Sequence, residues 1–129
     1  MDVTNYEEAS ETRKFYEKQM DYILRNDVDG MIDNQYAEDG VLISPFDMLD
    51  TPPPHIVRGR PALKEFFKKY LAWHGSIQVE SIDQFAGTDE SVFFQATFTS
   101  QTGRWVVGDG WYLRHGKIAV HYSFAHKTG

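Results

Sequence analysis

The sequence contains no cysteine. A disulfide framework, a thiolate metal site and a thiol nucleophile are therefore excluded, and nothing demands an oxidising compartment. Basic residues are also scarce: 13 Lys and Arg stand against 19 Asp and Glu, a formal charge of −6. Nucleic-acid binders neutralise phosphates with a basic face, and the only basic clusters are Arg58 with Arg60 and Lys64 with Lys68 and Lys69, so no nucleic-acid partner is expected. No window approaches roughly 18 consecutive apolar residues, and no helical pattern joins a basic face to a bulky apolar one, so no membrane partner is expected. The start, Met1-Asp2-Val3-Thr4-Asn5-Tyr6-Glu7-Glu8, has neither a basic nor an apolar leader region, which leads to the expectation of a cytoplasmic protein. A chain of 129 residues buries roughly 65–70% of its unfolded surface, enough for one core, so residues 1–129 are read as a single domain.

What is present changes character along the chain. Residues 1–40 hold 11 acids and 4 bases, whereas residues 41–129 hold 8 and 9. The acidic part is also the helical part. A first helix is expected from about Tyr6 to Arg25, with Phe15, Gln19, Tyr22 and Ile23 on or near one stripe and Tyr16 and Met20 beside it. Asp27 is a good N-cap for a short second helix to about Tyr36, which Gly30 weakens by about 1 kcal/mol relative to alanine. Glu38-Asp39-Gly40 reads as a turn and Val41–Ser44 as a short strand. The Pro52-Pro53-Pro54 run marks a long loop, since it lacks three N–H donors. Pro61 opens a third helix with Leu63, Phe66, Phe67, Tyr70 and Leu71 at helical spacing, and Gly75 ends it. Beyond Ile77 the period drops to two, and turn signals at 87–89, 102–103 and 115–116 divide the rest into strands of about 77–86, 91–101, 104–114 and 117–125. Helices first and a hairpin-connected sheet afterwards is an α+β plan, with the helices on one face of a curved antiparallel sheet.

Alternation separates two sets of sheet positions. One holds Gln95, Thr97 and Thr99, then Val107, Asp109, Trp111 and Leu113, then Ala119, His121, Ser123 and Ala125. The other holds Phe94, Ala96 and Phe98, Val106 and Tyr112, and Ile118, Val120, Tyr122 and Phe124. Both carry bulky apolar residues, so both faces are expected to be covered, one by helices and the other by a second copy, giving a homodimer through the sheet face. The first set also carries a carboxylate, an imidazole, an indole, a carboxamide and hydroxyls. Burying such groups costs roughly 1–3 kcal/mol each unless they are paired, so they bond one another or line a wet pocket.

Several motifs resemble a known family. Asn26-Asp27-Val28-Asp29-Gly30-Met31-Ile32, then Tyr36-Ala37-Glu38-Asp39-Gly40-Val41-Leu42-Ile43, then Arg58-Gly59-Arg60-Pro61-Ala62-Leu63-Lys64-Glu65-Phe66-Phe67 look like the start of a SnoaL-like protein. The segment from Asp109-Gly110-Trp111 to His121-Tyr122 is similar to that family's last hairpin. The resemblance covers about residues 10–125. It implies the nuclear transport factor 2-like fold, a cone of curved sheet closed by three helices around a cavity and often dimeric through the sheet. That superfamily includes polyketide cyclases, ketosteroid isomerase, scytalone dehydratase and limonene epoxide hydrolase, and also proteins without catalysis. By resemblance, Asp109 stands at the acid/base aspartate of the cyclases and at the protonated aspartate of the isomerase's oxyanion hole. Ser44 before Pro45 stands where the isomerase has its general base, and Gln19 stands near its helix-one tyrosine, and both departures argue against steroid isomerase chemistry. His121 falls at a cavity-facing position of the last strand.

The expected chemistry follows from these residues. Asp109 and His121 are the candidate catalytic pair for proton transfer on a small hydrophobic oxygenated substrate, polyketide- or terpenoid-like, in a cyclisation, isomerisation or dehydration that requires no cofactor. Trp111, Gln95, Thr97, Ser123, Gln19, Tyr16 and Tyr22 are candidate substrate contacts. Each has a plainer alternative: Asp109 bonded to a backbone N–H or to Gln95, His121 a satisfied core imidazole, the helix-one residues ordinary packing. An enzyme of this kind needs a cavity of roughly 300 Å³ or more. A non-catalytic binding or dimerisation domain would show a small cavity with both groups already satisfied. An epoxide hydrolase would need a second inward carboxylate from Asp39, Asp47 or Asp50. No metal is expected, because Asp109 and His121 supply two ligands where a stable site needs three or four. His74 is expected to serve its helix end as a partly positive imidazole. His55 belongs to a loop, over the cavity mouth or on plain surface, and His115 and His126 belong to a turn and a tail.

Overall fold

The structure, a computed structural model, describes residues 10–128. The start of the first helix expected at Tyr6, and the eight opening residues, lie outside the described residues. Three helices, α1 (Ser10–Leu24), α2 (Val28–Gln35) and α3 (Arg60–His74), accompany six strands: β1 (Tyr36–Ser44), β2 (His55–Arg58), β3 (Gln78–Gly87), β4 (Ser91–Ser100), β5 (Gly103–Arg114) and β6 (Lys117–Thr128). The strands form one sheet in the order β2-β1-β6-β5-β4-β3, antiparallel except where β1 runs beside β6. Among the described residues no helix is long and apolar enough to cross a membrane.

Local chemistry explains most boundaries. The Asp27 carboxylate accepts from the Gly30 N–H at 3.0 Å, capping α2 as expected. A Cβ on Gly30 would stand 2.5 Å from that carboxylate, so the glycine that weakens the helix also lets its cap close. Gly59 takes φ +85°, and its N–H reaches the Gly40 carbonyl at 2.8 Å, which ties the start of α3 to β1. Gly75, at φ +71°, ends α3 with its N–H on the Leu71 carbonyl.

Three readings are corrected. Glu38-Asp39-Gly40 is a register shift inside β1, which starts at Tyr36, rather than a turn before it. The loop after Phe46 returns as the short edge strand β2, with His55 buried and paired to Ser44. His126 lies within β6, opposite Val106, rather than in a tail.

The fourth correction concerns the faces. β4 and β5 are joined by the two-residue turn Gln101–Thr102, with Ser100 opposite Gly103, so even-numbered residues of β4 share a face with odd-numbered residues of β5. Phe94 therefore lies opposite Asp109 and Ala96 opposite Val107, whereas Gln95 faces away beside Gly108. Between β5 and β6 a second two-residue turn would reverse the relation again, but the bulge at Ala119 restores it. Trp111 pairs with His121 and Asp109 with Ser123, as alternation expects. The core lies between the helices and this inner face, with Met31, Ile32, Leu63 and Ile118 wholly buried. The outer face leaves Phe93, Tyr112, Tyr122 and Phe124 exposed on the single chain.

Candidate functional site

The inner face and the helices enclose a cavity of about 90 Å³. β5 contributes Val107, Asp109 and Trp111, β6 contributes His121 and Ser123, β1 contributes Leu42 and Ser44, and α1 contributes Gln19. Aromatic walls come from Phe66, Phe67 and Tyr70 of α3, Phe46 of the loop after β1, and Phe94 and Phe98 of β4. The volume falls below the 300 Å³ expected of an enclosed substrate pocket, because these aromatic side chains fill the cone.

His121 is the hub of its polar groups. Its Nε2 lies 2.6 Å from Asp109 Oδ1, and its Nδ1 lies 2.8 Å from the Tyr36 hydroxyl. Gln19 Nε2 donates to the same hydroxyl at 3.0 Å. The phenol oxygen thus accepts from the carboxamide and gives its own proton to His121 Nδ1, which leaves Nε2–H to donate to the Asp109 carboxylate. Both partners are shielded, with side chains 8% and 11% exposed for His121 and Asp109. Phe67 stacks along the imidazole and Trp111 meets it edge-on. Arg60 fixes the far end of this chain: its Nε and Nη2 donate to the Tyr36 carbonyl at 3.1 and 2.8 Å. Burial pushes the Tyr36 hydroxyl well above the usual phenol range, so it stays protonated and able to donate. Tyr70 is shifted the same way, by burial first and the Asp109 charge second, and among the described residues its hydroxyl has no hydrogen bond.

Of the expected contacts, Trp111, Ser123 and Gln19 line the cavity with Asp109 and His121. Gln19 bonds Tyr36, so its nearest polar partner is protein. Gln95 and Thr97 do not reach the cavity. The two-residue turn puts them on the outer face, where Gln95 borders a shallow depression and Thr97 donates to Asp83 Oδ2 at 2.7 Å. Tyr16 packs between Phe85, Phe94 and Trp111 behind the cavity wall, and burial raises its hydroxyl to about 12. Tyr22 is buried under the Arg25 guanidinium at the other side of α1, outside the lining. Sequence reasoning did not assign Tyr36 or Tyr70 to the site, and met Ser44 only as the residue standing at the isomerase's base position. Tyr70 carried a signal, its place in the stripe of the third helix. Tyr36 carried none, since only the parallel pairing of β1 with β6 brings it to a residue 85 positions away.

Another buried histidine sits nearby without joining the cavity lining. His74 is wholly buried among Phe46, Tyr70, Trp73, Phe98 and Trp105, with Nδ1 at 2.8 and 2.9 Å from the Ser100 and Thr102 hydroxyls. Burial lowers its pKa to about 4, so it is a neutral ring and not the positive helix-end group expected from sequence.

Two potential metal ligands, Asp109 and His121, meet here, and among the described residues no third His, Asp or Glu joins them. Asp109 is also the one carboxylate among the described lining residues. Asp39 pairs with Arg114 at the surface, and Asp47 and Asp50 are exposed.

Comparison with known proteins agrees with this architecture. The chain matches the SnoaL-like domain model over residues 13–121. Among solved structures it is similar to a nuclear transport factor 2-like protein from Anabaena variabilis, with TM-score 0.71 and 20% identity over 92% of this chain and 91% of that one. It is similar to a candidate ketosteroid isomerase from Kribbella flavida, with TM-score 0.74 and 16% identity over 94% and 82%. An LEH-like epoxide hydrolase from M. tuberculosis matches with TM-score 0.64 and 15% identity over 92% and 85%. No curated protein matches the sequence. At these identities the structural likeness speaks for the fold. A family match running from α1 to His121, carried on a six-stranded sheet closed by three helices, places the chain in the SnoaL-like family, on the nuclear transport factor 2-like fold.

Proposed function

We propose that the protein is an acid/base enzyme that moves a proton on a small hydrophobic carbonyl compound, in a cyclisation, isomerisation or dehydration that requires no cofactor. The observation that carries this reading is the 2.6 Å contact between Asp109 Oδ1 and His121 Nε2 on the wall of an apolar cavity. One oxygen of Asp109 is held by the imidazole. The other has no hydrogen-bond partner among the described residues, and it is the group available to take a proton from the carbon beside a bound carbonyl. His121 holds the carboxylate in place and stabilises its charge, while Tyr36 and Gln19 fix the imidazole's tautomer. The free Tyr70 hydroxyl is a candidate donor to the enolate oxygen, in a surround where one such bond contributes several kcal/mol. Returning the proton from Asp109 to another carbon completes an isomerisation; passing it instead to a hydroxyl one carbon further on, whose C–O bond breaks as the enolate collapses to the unsaturated ketone and water leaves, completes a dehydration. An epoxide-opening reaction with two carboxylates finds only Asp109 in the described lining.

A second reading has its own support. The cavity is small, both nitrogens of His121 are satisfied by protein, and the outer face exposes Phe93, Tyr122 and Phe124 beside a depression of about 540 Å³ over Gly108 and Gly110. A ligand-binding or dimerising domain without catalysis, associating through that face, would have these features. Deuterium incorporation beside the carbonyl of a small ketone, followed by NMR in D₂O, separates the two. Catalysed exchange that falls by about 10²-fold or more in Asp109→Asn supports the enzyme. Exchange no faster than buffer, or equal in the variant, rejects it.

A further inference from the structure

The cavity has an apolar mouth. It opens between the last turn of α1 and the first half of β3, where Leu24, Val79 and Ile82 are 58, 40 and 37% exposed and yet line the cavity. Met20, Ile23 and Ile77, half-buried, complete this rim. Most of β3, from Gln78 to Gln84, is exposed. Val79 and Ile82 pair with Phe98 and Ala96, which are themselves cavity residues, so the rim continues the inner wall. β3 is two strands from β5, which sets the mouth roughly 10 Å from Asp109 across the sheet. The polar lining groups Asp109, His121, Gln19, Ser44, Ser123 and the Tyr70 hydroxyl belong to α1, β1, α3, β5 and β6, and none is on β3.

We infer that the site takes an elongated ligand: a compact oxygenated head, such as one ketone carbonyl, at the Asp109–His121 end, and an unbranched apolar chain that leaves over Ile82, Val79 and Leu24. An interior of about 90 Å³ admits such a head but not a rigid polycyclic ketone, which needs the several hundred Å³ of an ordinary enclosed pocket. The exposed rim is where a chain gains burial without demanding interior volume. The inference rests on the proton-transfer reading only for where the oxygen sits.

Calorimetric titration of straight-chain 2-alkanones of increasing length, beside a rigid steroid ketone, tests it. Affinity is expected to rise about fourfold per added methylene until the chain passes the rim, with the steroid ketone binding at least tenfold more weakly than the best alkanone. Ile82→Asp, and the milder Val79→Thr at the same rim, flatten the length dependence; both positions are exposed, and thermal melts verify that the variants fold. A steroid ketone that binds as well as the best alkanone, a length dependence unchanged in both variants, or no ketone binding overturns the inference. Deuterium exchange on the best-bound alkanone keeps the two ideas apart. Length-dependent binding without exchange rejects proton transfer and leaves the ligand shape standing, whereas exchange without length dependence rejects the shape alone.

Discussion

Three histidines are buried among the described residues, His55 on the edge strand and His74 and His121 around the cavity, and the surroundings of the last two differ in kind. His74 rests on two hydroxyls inside a ring of aromatic side chains, with no charged group bonded to it. His121 spans a carboxylate and a phenol, and it borders the cavity. The difference teaches what burial alone does to an imidazole and what a bonded carboxylate adds. His74 is held neutral by desolvation and is a structural ring. His121 is held in one tautomer by directed hydrogen bonds, and both it and its carboxylate partner line the cavity.

Deleting each ring should separate them most sharply. His121→Leu leaves the Asp109 carboxylate shielded and unpaired, and urea denaturation at pH 7 is expected to show a loss of about 3–5 kcal/mol. His74→Leu should cost nearer 1 kcal/mol at that pH, because the Ser100 and Thr102 hydroxyls remain bonded to each other at 2.8 Å. Equal losses would erase the distinction.

Acid should turn the small loss in His74→Leu into a gain relative to the wild type. His74 titrates near 6.5 when unfolded and near 4 when folded, so the unfolded chain takes up its proton first. Its contribution is complete above about pH 6.5 and is lost as the pH falls to about 4, on the order of 3 kcal/mol in all. Denaturation midpoints measured across that window should fall in the wild type and fall less in His74→Leu. An identical slope in both would place the acid sensitivity elsewhere.

Smaller changes sharpen the comparison. Tyr36→Phe removes the phenol between Gln19 and His121, and about 1–2 kcal/mol of stability is expected to go with it. Nitrogen-15 NMR of His121 should then lose the single Nε2–H tautomer. A tautomer unchanged in Tyr36→Phe would show that Asp109 alone fixes the ring. Ser100→Ala is expected to cost about 0.5–1 kcal/mol by thermal melting, since Thr102 still reaches His74 at 2.9 Å.

The parts of this arrangement were unequally legible in the sequence. α3 could be read from its own residues, because a Pro near its start, a helical stripe and Gly75 are local signals. Alternation put Asp109, Trp111, His121 and Ser123 on one face, aided by a bulge at Ala119 that alternation cannot foresee, and the family resemblance, not the period, pointed that face inward. The same reasoning misplaced Gln95 and Thr97, because facing across a hairpin depends on the number of residues in the turn, and one residue more or fewer exchanges the faces. The link from Tyr36 to His121 was invisible, since it depends on two parallel strands meeting across most of the chain. Cavity volume depends on how Phe46, Phe66, Phe67 and Phe94 pack together, which spacing does not report.

The most direct test of the central claim, that Asp109 with His121 behind it acts on a carbonyl compound in the inner cavity, is a crystal structure with a straight-chain 2-alkanone bound. The account predicts a carbon next to the carbonyl within roughly 3–3.5 Å of the Asp109 oxygen not bonded to His121, with the chain leaving past Ile82. A ketone seated in the outer depression beside Phe93 and Phe124, which Asp109 also borders, with the inner cavity empty, would contradict it.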